Sequence, residues 1–89
     1  DAQDALLLRI FGPLSARRNG ELLTRTLVAF AQADFHLRRT AERMCLHPKS
    51  LRYRLQRITE IAGLDFNAPA TRFEVQLAVQ LMLLRGKSV

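Results

Sequence analysis

Pro48 stands between two short runs of apolar residues at helical spacing, and few folds accommodate that pattern. Leu37, Ala41 and Met44 recur at i, i+4 and i+7 before it, and Leu51, Leu55, Ile58 and Ala62 follow it. Proline is favoured in the first turn of a helix, where its missing N–H costs nothing, and it drives the preceding His47 into an extended conformation. The spacing therefore predicts a helix of about eight residues, the connection Cys45-Leu46-His47, and a longer helix. That helix ends at Gly63, a good left-handed C′ residue, with Leu64 placed to make the cap's hydrophobic contact. Ala41, small and mid-way along the first helix, lets the two cross closely. Leu46, Leu51 and Leu55 return to the same seam. These are the proportions of a helix-turn-helix over about 37–62. The turn position usually given to glycine is Cys45, and a positive φ there costs on the order of a kcal/mol.

The remaining chain reads as helix too. Glycine-bounded runs of alternating Val, Ile and Thr, which would mark strands, are missing, so the expected fold class is all-α, a small domain of about five helices. Ala5, Leu8 and Phe11 fall near one face of a first helix that Gly12-Pro13 is expected to interrupt. Asn19-Gly20 reads as a turn. From Glu21 to Ala33, an apolar stripe of Leu23, Leu27, Phe30 and Ala31 marks the second helix. Two start signals compete for the last one, Asn67 with Pro69 and the Thr71-x-x-Glu74 capping box. Its main stripe is Phe73, Leu77, Leu81 and Leu84, widened by Val75, Ala78, Val79, Met82 and Leu83, so it is expected to be covered on several sides.

Charge narrows the function. The 89 residues carry a net charge of +6. Residues 1–35 and 58–89 each balance to zero. Residues 36–57 hold Arg38, Arg39, Arg43, Lys49, Arg52, Arg54 and Arg57 against Glu42 alone and account for the whole excess. Such concentration suits a surface built to meet a polyanion. Taking about 100° per residue on the helix after Pro48, with Leu51 at the core, Lys49, Tyr53, Gln56 and Glu60 point away, and Arg52 and Arg57 flank them. Ser50 and Arg52 lie near the N-terminal end, the part of a recognition helix that reaches deepest into the major groove. Arg52 can chelate guanine O6 and N7, and Lys49 can approach the same atoms or a phosphate. Arg57, two turns along, is placed for backbone phosphate, and Arg38 and Arg39 for the adjacent strand. Tyr53 suits a phosphate hydrogen bond or packing on its neighbours, and His47 a helix-start turn or a DNA contact. Arg54 leans toward the core's flank, where an ion pair and a phosphate contact are equally open.

The stretch from His47 to Ile58, His-Pro-Lys-Ser-Leu-Arg-Tyr-Arg-Leu-Gln-Arg-Ile, followed by Gly63-Leu64-Asp65 and a Leu/Ala-rich last helix, resembles the C-terminal DNA-binding domain of PucR/CdaR-type bacterial transcription regulators. Leu-Arg-Tyr-Arg-Leu at 51–55 is its most specific part; Thr40-Ala41 and Gly12-Pro13-Leu14 also fit. The resemblance covers roughly residues 10–85. It implies a Fis-like helix-turn-helix of a one-component regulator whose effector-sensing region lies N-terminal to the residues given, which would make the chain a C-terminal fragment. Lys49 and Ser50 stand where that family more often has Asn and Thr, a departure that bears on the target sequence.

Other functions fit less well. A helical interaction or dimerisation module would explain the wide apolar face of residues 73–84 but not the charge confined to 36–57. RNA or anionic-membrane binding would use the same basic segment, yet its arginines surround an ordered leucine stripe. No glycine-rich phosphate loop, paired carboxylates or triad pattern points to an enzyme or a cofactor. His36, Cys45 and His47 lack a fourth ligand at suitable spacing for zinc. The lone Cys45 and the absence of a roughly 20-residue apolar run fit a cytoplasmic domain with no membrane segment. The expected partners are double-stranded DNA and a second copy of the chain.

Overall fold

In the computed structural model, which describes residues 1–87, five α-helices are present among the described residues: α1 (Ala2–Ser15), α2 (Gly20–Gln32), α3 (Leu37–Met44), α4 (Pro48–Ala62) and α5 (Pro69–Lys87). The all-α expectation holds. α2 packs against each of the other four helices, and α1 packs against α4 and α5 as well as α2. The stripe read for α2 lies in the core, with Leu23, Leu27, Phe30 and Ala31 all buried. Around them gather Ile10, Phe11 and Leu14 from α1, Leu51, Leu55 and Ile58 from α4, and Val75, Ala78 and Val79 from α5.

Three expectations are corrected here. α1 runs through Gly12-Pro13 to Ser15. Proline forfeits its own N–H bond and its ring crowds the carbonyl four residues back, but burial of Ile10 and Leu14 on either side holds the last turn in place. Leu8 is 72% exposed, and the inward face is Leu7, Ile10, Phe11 and Leu14, again at helical spacing. On α5 the stripe is reversed: Val75, Ala78 and Val79 are fully buried, whereas Phe73 and Leu84 are 69% and 61% exposed. The smaller side chains let α5 approach α1 and α2 closely. Polar contacts hold the orientation, with Gln76 Nε2 donating to the Ala31 carbonyl at 2.7 Å and Arg9 paired with Glu74. α5 starts at Pro69, so of the two competing signals the proline prevails.

Asn19 lies in the turn as read, and Gly20, whose amide closes that turn on the Arg17 carbonyl at 3.0 Å, is also the first residue of α2 and is buried. A Cβ there would run into the Leu14 carbonyl oxygen and the Ser15 Cα, so glycine is required for the close approach of α2 to the end of α1. The α2–α3 connection uses two successive left-handed residues, Asp34 (φ 56°) and Phe35 (φ 60°). The Phe35 amide donates back to the Phe30 carbonyl at 2.8 Å and that of Asp34 to Ala31 at 3.0 Å, satisfying the end of α2. The Phe35 ring then packs with Phe30 and Phe66.

Candidate nucleic-acid interface

α3 and α4 pack on one another and both pack on α2. Their start and end points follow from local chemistry. The amide of Arg39 donates to Nδ1 of His36 at 3.3 Å and the amide of Lys49 to Nδ1 of His47 at 3.0 Å, so each histidine caps the helix that follows it. His47 is extended (φ −65°, ψ 139°), as the proline after it requires. Cys45 takes the left-handed conformation with φ 54°, as its place in the turn anticipates. Thr40 is fully buried, with its hydroxyl donating to the His36 carbonyl at 2.8 Å. α4 closes at Gly63 (φ 66°), where Leu64 is buried beside the cap.

With Leu51, Leu55 and Ile58 buried, α4 turns Lys49, Ser50, Arg52, Tyr53 and Gln56 outward. Arg38 and Arg39 are exposed on α3. His47 is exposed as well, and Arg38 and Arg52 line one cleft between the two helices. Arg57 is half-buried and its guanidinium meets the Glu60 carboxylate at 3.1 Å. Arg54, half-buried, has no ion pair among the described residues. The α4 ridge is bordered by two clefts. One opens toward α3, between Phe35, His36 and Arg38 on one side and Pro48 and Arg52 on the other. The second opens toward α2, between Asn19 and Leu22 and the α4 residues Lys49, Tyr53, Arg54 and Arg57.

Nothing in the sequence pattern pointed to that second cleft, because Asn19 and Leu22 lie outside the basic segment and only the packing of α2 on α4 brings them there. The capping role of His36 was also unread, since histidine is not among the usual N-cap residues. Among the described residues no three His, Cys, Asp or Glu side chains gather as a metal site. Nδ1 of His36 and of His47 each accepts a backbone N–H in its helix cap. No described helix is long and apolar enough to cross a membrane.

A short helix, a left-handed turn and a longer helix with a cationic outer face define a helix-turn-helix domain. The chain belongs to the family of PucR C-terminal helix-turn-helix domains, which matches residues 23–81. This family is one of regulator domains rather than of enzymes. The chain is 35% identical over 81 residues to the carbohydrate diacid regulator of Escherichia coli strain K12, covering 91% of this chain and 21% of that protein. It is 39% identical over 61 residues to an uncharacterized protein of Haemophilus influenzae, covering 68% of this chain and 16% of the relative. The chain thus spans about a fifth or less of the curated relatives it matches. No solved structure matches it significantly.

Proposed function

We propose that this domain reads double-stranded DNA for a transcription regulator, with α4 in the major groove. The observation that carries the reading is the α4 ridge itself: Lys49, Ser50 and Arg52 stand exposed at its N-terminal end over a fully buried Leu51. In this reading Arg52 chelates a guanine edge, Lys49 and Ser50 reach base edges or phosphate, and Tyr53, Arg38 and Arg39 hydrogen-bond phosphates. Arg57 joins them by exchanging Glu60 for a phosphate, since an exposed pair of this kind is worth only about 0–1 kcal/mol. His47 fixes the start of α4 and thereby the depth at which Lys49 and Ser50 stand. The likeness to a carbohydrate diacid regulator of E. coli supports a regulatory role; in this reading an effector is bound by a region outside these residues and the protein acts in the cytoplasm.

The working unit in this proposal is a dimer. One recognition helix reads about half a site, which rarely discriminates against a genome of competitors. The exposed Phe73, Leu77 and Leu84 on α5 favour a second copy covering that face, and this is also what remains of the interaction-module reading. The target would be an inverted repeat with half-sites about 34 Å apart or a multiple of it. Selection of bound sequences from random duplexes, repeated at several salt concentrations, tests the proposal. Recovery of one preferred sequence with two-fold symmetry is the expected result. Equal retention of all duplexes, or of RNA in preference to DNA, would overturn it.

A further inference from the structure

The linear charge count assigns residues 1–35 no net charge, but the fold pairs some of these charges and leaves others without an ion pair among the described residues. Asp4 lies against Arg85 at 2.6 Å, and Arg9 of α1 is held by Glu74 of α5. These pairs consume charge on the α1–α5 side of the molecule. Arg18, just before α2, and Arg25, in its second turn, are exposed, and no ion pair among the described residues engages either. Both line a shallow cleft with Asn19, Glu21 and Leu22. Asn19 and Leu22 also line the cleft that borders α4 beside Lys49, Tyr53 and Arg57. The two clefts share Asn19 and Leu22 as lining residues, so Arg18 and Arg25 stand next to the cleft on the side of α4 away from α3.

A helix seated in a major groove about 12 Å wide has a phosphate strand on each side. Arg38 and Arg39 of α3 serve one side only. We propose that the DNA footprint continues across α4 onto the α1–α2 turn and the start of α2, where Arg18 and Arg25 meet phosphates of the opposite strand. Glu21, in the same cleft, opposes this contact and sets its strength. The inference rests on the DNA-reading role proposed above and adds the second wall of the groove to it. The domain straddles the duplex, and its orientation is held from both sides of the recognition helix.

The test compares the intact protein with the Arg18→Ala/Arg25→Ala variant on a selected duplex and a random one across a salt series. Loss of two phosphate contacts lowers the slope of log K against log salt by about 1.8, so between 50 and 200 mM salt the parent loses about tenfold more affinity than the variant. Preference among sequences stays the same. Arg18→Lys/Arg25→Lys restores the slope, because counterion release counts charge. Glu21→Gln, which removes no cation, tightens binding to both duplexes. Arg9→Gln/Arg85→Gln removes the same charge from the far face and leaves the slope as it was. An unchanged slope for the Arg18/Arg25 variant, with Arg39→Ala still lowering it, overturns the second wall and leaves DNA reading intact. Equal loss in the Arg9/Arg85 variant overturns it as an effect of net charge. Absence of salt-dependent duplex binding by the parent overturns the DNA-reading role and this inference together.

Discussion

The backbone amide of Leu46 donates to the carbonyl of Ala41 at 2.9 Å, and that of Cys45 to Glu42 at 3.2 Å. Together they form the paired bonds that close a helix over a left-handed residue. In most such caps the left-handed residue is glycine; here it is Cys45 with φ 54°. Cys45→Gly is expected to raise the stability of the domain by up to about 1 kcal/mol, the relief of the Cβ clash less glycine's added freedom in the unfolded chain. Urea unfolding checks this: the midpoint rises with an unchanged slope. Cys45→Val, β-branched at the same φ, lowers the midpoint.

Two other glycines separate steric from conformational demand. Gly63 has φ 66° and open space where a Cβ would stand, whereas a Cβ at Gly20 meets the α1 backbone. Gly63→Ala is expected to cost about 1 kcal/mol. Gly20→Ala, which must push two helices apart, is expected to cost about 3 kcal/mol. Paired unfolding curves check the order, and a smaller loss for Gly20→Ala contradicts the close approach of α2 to α1.

Base and phosphate contacts respond differently to truncation. Arg52→Ala is expected to weaken the preferred site by about 1–3 kcal/mol and to flatten preference at one base pair. Arg39→Ala weakens all duplexes alike and lowers the salt slope by about one. Binding of matched and single-substituted duplexes checks both. An equal loss on preferred and random DNA for Arg52→Ala would remove its base-reading role.

On α5, Phe73→Ser/Leu77→Ser is expected to change the monomer's unfolding free energy by no more than about 0.5 kcal/mol per site, because surface positions contribute little. The same change weakens self-association in sedimentation. Val79→Ala, at a fully buried position, lowers stability by about 1–2 kcal/mol through lost burial and a residual cavity. A large loss of stability for the Phe73/Leu77 variant contradicts the observed face of α5.

The helix-turn-helix was legible because its determinants are local. Pro48 starts a helix wherever the chain around it goes, Gly63 supplies a left-handed stop, and Leu51, Leu55 and Ile58 form a single narrow stripe whose inward face is unambiguous. The outward position of Lys49, Ser50, Arg52 and Tyr53 then follows from helix geometry, and the cationic character of residues 36–57 from counting. What required the tertiary structure is what depends on a neighbour's shape. α5 is apolar nearly all round, so periodicity offers several faces, and the fit of Val75, Ala78 and Val79 against α1 and α2 chose among them. Burial of Ile10 and Leu14 outweighed the local cost of Pro13, and Gly20 owes its necessity to a carbonyl six residues earlier. The placement of Arg18 and Arg25 in a cleft that shares Asn19 and Leu22 with the one bordering α4 is of the same kind, because a charge acts on what is near it in space, and only packing sets which of the chain's charges are neighbours.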